Sequence, residues 1–217
     1  MFHKQMVSTE YLAKEINFDV SNKKLLEEII NYGLNLGADF VEIFLENTDN
    51  ISVLVEEDFI TSVSPSFGKG AGIRIFKDKR DGFVSTNDLT KDGLIKSVSQ
   101  AVQMLDISEI SSNGKFNGLE DLRNYSKRKN DWLKNLPSVD EIGEKLLLST
   151  ASLKKDPKVN IRKSSYARNW QQVLIASSDG TFAKDIRLHQ TVGLNLIATD
   201  RQYRSSGSRR FGSSDNP

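Results

Sequence analysis

The residue types that most often carry chemistry are sparse in this 217-residue chain. Histidine occurs only as His3 and His189, and cysteine is absent. A metal site needs several histidine, cysteine, aspartate or glutamate ligands close together, and neither histidine has another histidine or a cysteine near it in the sequence. His189 lies on the polar side of an alternating run, which favours a solvent-exposed histidine over a ligand. The residues alone therefore assign no catalytic side chain and no metal ligand.

Motifs of two hydrolase classes are also missing. The chain contains neither the H-E-x-x-H motif of many zinc peptidases nor the G-x-S-x-G motif of serine hydrolases. Acidic residues occur in short runs such as Glu56-Glu57-Asp58, which fit solvated turns and helix faces. No two carboxylates can be assigned as a general acid and base on this basis.

A glycine-rich stretch, Gly68–Thr86, is the most distinctive local pattern. It reads GKGAGIRIFKDKRDGFVST and predicts a β-hairpin, because Asp81-Gly82 is a turn pair between two β-prone runs. Glycine weakens a strand, so the glycines at 68, 70 and 72 indicate a bulge or the close approach of another backbone. A phosphate-binding loop is disfavoured, because neither a Lys-Ser/Thr pair nor a helix follows these glycines.

Composition excludes several classes of partner. The chain has 30 basic and 29 acidic residues, so its net charge of +1 gives no general reason to expect nucleic acid or an anionic membrane as partner. No run of 18 apolar residues and no apolar signal-peptide core is present. We therefore expect a soluble cytoplasmic protein.

The first part of the chain predicts an antiparallel β-meander flanked by two helices. Residues 1–20 are weakly patterned and are interpreted as an N-terminal arm, followed by a domain over residues 21–106. Its first helix is expected to begin at Ser21 and to end before Gly37. Short strands are expected at Phe40–Leu45, Ile51–Val55 and Phe59–Val63, followed by the hairpin and by a second helix from Thr90. This arrangement is typical of an α+β layer.

The second part predicts a helix and another antiparallel meander. Residues 107–137 are polar and are interpreted as a linker, and residues 138–200 as the second block. A capping box, Ser138-x-x-Glu141, opens the helix. The long alternating run Phe182–Ala198 exceeds a normal strand, so a bend is expected near Gly193. Residues 201–217 are rich in serine, glycine and arginine, and are interpreted as a flexible or truncated end.

The order of these elements resembles the N-terminal region of the TldD/PmbA family. The resemblance covers the segments LNLGADFVEIFLEN, ISVLVEEDFITSVS, GKGAGIRIFKDKRDGFVSTNDLT and NWQQVLIASSDGTFAKDIRLHQTVGLNLIATD. Its most specific part is Gly72-Ile73-Arg74 together with Gly82-Phe83 and the helix start. Gly72, Arg74 and Gly82 are therefore singled out as signature residues without an assigned role. The ending SSGSRRFGSSDNP is more similar to the TldD branch than to the PmbA branch.

The resemblance implies a peptidase whose reactive centre lies elsewhere. Members are described as modulators of DNA gyrase and as metalloprotease subunits, and their H-E-x-x-x-H signature lies downstream of the region matched here. No metal ligand can therefore be transferred to this chain, and zinc is expected in a missing C-terminal domain. The chain would be a substrate-handling and partner-facing portion, inactive alone, binding peptides and a TldD/PmbA-type subunit in a homo- or hetero-oligomer. Two alternatives stay open: a non-catalytic interaction module, and a modulator associated with gyrase or DNA.

Overall fold

The computed structural model describes residues 22–107, 116–121 and 136–214, and within them shows the expected α+β class. Three helices accompany a seven-stranded sheet. The helices are α1 (Lys23–Asn35), α2 (Lys91–Gln103) and α3 (Val139–Ser152), and a 3-10 turn, Leu153–Lys155, follows α3. The strands are β1 (Phe40–Glu56), β2 (Phe59–Lys77), β3 (Arg80–Thr86), β4 (Glu120–Asp121), β5 (Val159–Ser177), β6 (Thr181–Asp200) and β7 (Tyr203–Ser213).

The two predicted meanders form one continuous sheet. Its strand order is β3-β2-β1-β5-β6-β4, with β7 also paired to β6. The junction is the antiparallel pairing of β1 with β5, which runs from Glu42 opposite Ser177 to Glu56 opposite Lys163. Among the strands that the structure describes, only the short pair of β4 and β6 is parallel. The two antiparallel meanders expected from the sequence are thus joined in a single sheet shared by both halves of the chain.

The three helices pack on one face of this sheet, which we call the helix face. Odd-numbered residues of β1 point to it, and most of them are buried. Near the start of β1, Val41 and Ile43 join the core formed with α1 and α2. Near its end, Val53 and Val55 join a second, smaller core formed with α3. The opposite side, the open face, has no helix over it among the described residues.

The helix termini follow the predicted local signals. Thr90 caps α2 by accepting a hydrogen bond from the Gly93 N–H at 3.1 Å. Ser138 and Glu141 form the predicted capping box at the start of α3. Asn22 is the N-cap of α1, one residue after the expected Ser21. Gly37 adopts φ +95° just after α1, where a left-handed residue was expected.

The strand bounds and the hairpin turn predicted for the first block are wrong. Residues 47–50 lie inside β1, where β2 and β5 pair with them on either side. Strand β2 is continuous from Phe59 to Lys77, so the expected strand Phe59–Val63 and the glycines at 68, 70 and 72 belong to one strand. The hairpin turns at Asp78-Lys79, with Asp78 at φ +56°, and Gly82 lies inside β3 opposite Ile75.

The C-terminal segment is ordered over most of its length. Within residues 201–217, which were interpreted as a flexible or truncated end, Tyr203–Ser213 form β7 rather than a flexible tail, and they pair with β6 through a tight turn at Arg201. Around Gly193 the pairing of β6 with β5 and β7 keeps its register, so no bulge marks the expected bend there.

The interpreted linker is only partly within the described residues. Leu119 is buried, and its N–H donates to Glu27 Oε1 at 2.9 Å. Residues 120–121 form β4 beside β6. The expected N-terminal arm and the last three residues lie outside the described residues. No helix in the described ranges has the length and apolar character needed to cross a membrane.

Candidate functional site

Gly82, one of the three signature residues, allows β3 to lie against α2. A Cβ atom at this position would lie 2.5 Å from the Ala101 carbonyl oxygen and 3.4 Å from Leu105 Cγ. Real Cβ atoms do not approach a backbone oxygen this closely, and the helix backbone cannot rotate away. The sequence signal at Gly82 therefore reflects strand-to-helix packing, which the hairpin-turn interpretation missed.

Gly72 and Arg74 lie on the open face of the same hairpin. The Phe83 ring covers Gly72, and a Cβ there would lie 3.0 Å from two ring carbons. Arg74 donates from Nε and Nη2 to Asp81 Oδ2 at 3.2 and 3.1 Å, and its guanidinium lies 4.9 Å from the Phe76 ring centre. Both arginine and aspartate are half exposed. These contacts hold the two strands of the hairpin together and form no nucleophile or acid–base pair.

Small side chains line the open face of β2 along most of its length. Six successive open-face positions are serine or glycine, namely residues 62, 64, 66, 68, 70 and 72. We call them the small-residue row. In the sequence, the glycines at period two signalled close approach of a backbone, but the three preceding serines extend the same period and were not recognised. Residues 62, 64, 66 and 68 of the row are exposed on the open face, whereas Gly70 is half-buried and Gly72 is buried under the Phe83 ring.

Beside this row, a trough of about 410 Å³ crosses the middle of the open face. Residues from four neighbouring strands line it in two cross-strand rows, Ser66-Asn50-Asn169-His189 and Ser64-Ser52-Ala167-Thr191. The Asn169 amide donates to Asn50 Oδ1 across the trough. His189 is exposed, as predicted, but it lies in the trough wall. Its surroundings offer hydroxyl, amide and imidazole groups around a floor of small side chains.

A polar band lies on the helix face, between the two hydrophobic cores. It comprises Asn47, Asp49, Arg168, Trp170, Gln172 and Gln190. Arg168 is 3% exposed, and its Nη2 lies 3.8 Å from Asp49 Oδ1. Burial raises the pKa of Asp49 above its ordinary value, and the Arg168 charge opposes that rise. Gln190 Oε1 accepts a 2.6 Å hydrogen bond from the Tyr166 hydroxyl. Because residues 47–50 have turn propensity, the sequence did not indicate this band.

The described residues provide no ligand set for zinc. Nowhere among them do three or more histidine, cysteine, aspartate or glutamate side chains come together in a way that could hold a metal ion. His189 stands in the trough wall, and His3 lies outside the described residues. We therefore derive no metal-dependent step from the side chains of this chain.

Comparison with family models gives two successive matches. Residues 41–105 match PmbA/TldA metallopeptidase domain 1, and residues 134–216 match the PmbA/TldA metallopeptidase central domain. Together these matches span well over half of the chain. No match was found among curated proteins.

Solved structures with the same fold include two proposed modulators of DNA gyrase and one TldE protein. The first modulator, from Bacteroides thetaiotaomicron, is 20% identical with a TM-score of 0.67, over 89% of this chain and 45% of that one. TldE from Thermococcus kodakarensis is 18% identical with a TM-score of 0.69, over 88% and 43%. The second modulator, from Thermotoga maritima, is 16% identical with a TM-score of 0.67, over 89% and 43%. This chain thus spans less than half the length of each. Its two ordered domain matches show that it belongs to the PmbA/TldD metallopeptidase family.

Proposed function

We propose that the chain is the N-terminal, substrate-handling and partner-facing portion of a TldD-like metallopeptidase subunit. The observation that carries this proposal is the match to two successive domains of one metallopeptidase family, in chain order. In this proposal a further domain supplies the H-E-x-x-x-H signature and holds zinc, which would polarise the scissile carbonyl and activate water. The protein would act in the cytoplasm, as a homo- or hetero-oligomer with a TldD/PmbA-type subunit.

The open face supports the substrate-handling part of the proposal. An extended polypeptide needs close access to backbone or small side chains, and the exposed part of the small-residue row, at residues 62–68, provides it. The adjacent trough adds hydroxyl and amide groups from Ser52, Asn50 and Asn169, which can bind the main-chain groups of a peptide. Among the described residues, no serine of the trough is hydrogen-bonded to His189, so the trough suits binding rather than covalent catalysis.

Peptide hydrolysis by the complete reading frame tests the proposal. We expect an unstructured peptide to be cleaved, alone or with a TldD/PmbA-type partner subunit, and cleavage to stop with a chelator and return with zinc. A variant with glutamine for the glutamate of H-E-x-x-x-H is the matched inactive control. Cleavage by these 217 residues alone, insensitive to chelator, would contradict the assignment of chemistry to another domain. An inert complete protein would favour the non-catalytic interaction module.

A second pair of variants tests the role of the trough. Ser52→Leu fills its floor, whereas Ser85→Leu changes an exposed serine on the open face of β3, away from the trough. In the complete protein we expect Ser52→Leu to raise KM for peptide hydrolysis several-fold and Ser85→Leu to leave it unchanged. If the two variants had the same KM, the trough would have no role in substrate handling.

A modulator associated with gyrase or DNA is the second candidate. It is favoured by the similarity to two structures described as modulators of DNA gyrase and by three arginines on exposed β7. Binding through these arginines would give salt-dependent retention on DNA. No retention of the chain on double-stranded DNA at low salt would remove this candidate.

A further inference from the structure

The polar band contains buried groups that the fold leaves without hydrogen-bond partners. Asn47 and Arg168 are each 3% exposed, yet Asn47 Nδ2 and Arg168 Nε have no partner among the described residues. Trp170 Nε1 and Gln172 Oε1 are buried in the same way and also lack a partner there. Buried polar groups in native proteins are nearly always satisfied, so four such atoms in one band indicate a bound water or ligand.

Arg168 also lacks a close counterion. Its Nη2 lies 3.8 Å from Asp49 Oδ1, which is beyond hydrogen-bond distance. Burial raises the pKa of Asp49, so the charged carboxylate that would neutralise Arg168 is disfavoured. The other buried arginine of the described residues, Arg162, forms a close ion pair with Glu57. Because arginine stays protonated in proteins, the buried charge of Arg168 requires further compensation.

The unpartnered groups lie in the strip that separates the two hydrophobic cores. Along β1, Leu45 belongs to the larger core and Ile51 to the smaller one, and Asn47 and Asp49 lie between them. On β5, Trp170 lies opposite Asp49. The groups therefore occupy neighbouring positions of one face and belong to neither core. Their burial comes from this chain alone, so it does not depend on any further domain.

The chemistry of these groups selects an anion. Three of the four unpartnered atoms, on Asn47, Arg168 and Trp170, are N–H donors, and only Gln172 Oε1 is an acceptor. Water could accept from these donors, but it cannot neutralise the guanidinium. A carboxylate carries one negative charge and about four lone-pair positions, so it can accept from several donors at once.

We propose that the polar band binds a small monocarboxylate, whose oxygens accept from the Arg168 guanidinium, the Asn47 amide and the Trp170 indole N–H. Asn47 lies in the match to domain 1, whereas Arg168 and Trp170 lie in the match to the central domain. The ligand would thus bridge the two domain matches and stabilise the pairing of β1 with β5. This inference goes beyond the proposed function and does not depend on it, because neither peptide nor zinc takes part.

Thermal unfolding of the 217-residue chain in increasing sodium formate tests this site. We expect Tm to rise with saturation, by about 5–11 °C at a formate concentration of a hundred times Kd. Isothermal titration calorimetry with formate should give the same Kd and a single site. Sodium chloride at equal ionic strength is the control for screening, and it should raise Tm less because chloride lacks the two carboxylate oxygens.

Two substitutions in the band change formate binding in opposite directions. Arg168→Gln removes the positive charge and should abolish the saturable rise in Tm. Asp49→Asn removes the carboxylate that competes for Arg168 and repels an anion, so the Kd for formate should fall several-fold. Arg74→Gln is the matched control, because it removes one positive charge from the half-exposed pair with Asp81 and should leave Kd unchanged.

Three results would overturn the inference. If formate gives wild type neither a saturable rise in Tm nor a heat of binding, water alone satisfies the band. Equal effects of chloride and formate exclude the carboxylate class. An unchanged formate Kd in Asp49→Asn places binding outside the band, and this result decides the question even if Arg168→Gln fails to fold. The proposed function fails separately, through absence of chelator-sensitive hydrolysis by the complete protein, which these measurements do not involve.

Discussion

Replacing Gly82 with alanine should destabilise the chain, because β3 lies too close to α2 for any side chain. The added Cβ would lie 2.5 Å from the Ala101 carbonyl oxygen, which belongs to a helix whose apolar face is buried against the sheet. To avoid this contact, β3 or α2 would have to move. Overpacking of this kind costs about 1–3 kcal/mol. For a chain of this size 1 kcal/mol corresponds to about 2–4 °C in Tm, so Tm should fall by about 2–12 °C.

Thermal unfolding followed by circular dichroism measures this effect against two control glycines. A Cβ on Gly207 would meet nothing within 4 Å, so Gly207→Ala should change stability by less than about 0.5 kcal/mol. Gly72→Ala should lie between the two, because the exposed Phe83 ring that it meets can turn away. A Gly82→Ala protein with the wild-type Tm, or an equal loss in Gly207→Ala, would refute the packing explanation of this signature residue.

Three further substitutions test the local contacts. Ser138→Ala removes the side-chain oxygen that accepts from the Glu141 N–H at 3.2 Å, and should lower the free energy of unfolding in urea by about 0.5–2 kcal/mol. The pKa of Asp39 is lowered, first by the Asp78 N–H, so its stabilising contribution is present above its unfolded pKa and is lost as pH falls through its folded pKa. The stability difference between wild type and Asp39→Asn should therefore shrink on acidification. Burial raises the pKa of Asp49. The pH dependence of its contribution to the free energy of unfolding is therefore opposite to that of Asp39, and this contribution is lost as pH rises through the folded pKa of Asp49. Asp49→Asn should gain stability relative to wild type over that range, as measured by urea unfolding at a series of pH values.

The helices could be predicted from the sequence because their determinants are local. The Ser138–Glu141 capping box and the Thr90 cap are signals within four residues, and the structure contains both. Gly37 marks the end of α1 in the same way. Each of these signals acts through neighbours in sequence, so it does not depend on how the sheet is assembled.

The sheet was harder to predict because its strands are stabilised by distant partners. Asn47 and Asp49 have turn propensity, yet they lie in β1, where Gln172 and Trp170 of β5 face them. Asn47 is buried at 3% exposure, which no local pattern indicates. The serine- and glycine-rich β7 likewise lacks an apolar period, and its pairing with β6 alone determines its extended conformation.

The trough on the open face could be predicted from the sequence only in part. The glycines at period two predicted a bulge or the close approach of a backbone, and a Cβ at Gly70 would lie 3.2 Å from the Thr86 carbonyl oxygen. The lining side chains, however, come from β1, β2, β5 and β6, and only the long-range pairing of β1 with β5 brings Ser52 beside Ala167. A single sequence without pairing information contains no local sign of that neighbourhood.

The pairing of β1 with β5 also crosses the boundary between the two family domains. Apart from Phe40, strand β1 lies in the match to domain 1, and β5 lies in the match to the central domain, yet they are adjacent strands of one sheet. The smaller core joins Val53 and Val55 of β1 to Ile142 and Leu146 of α3. A central-domain segment expressed without β1 would expose that core and one whole edge of β5. The two matched domains therefore share one sheet, and the trough on its open face is lined by side chains from both of them.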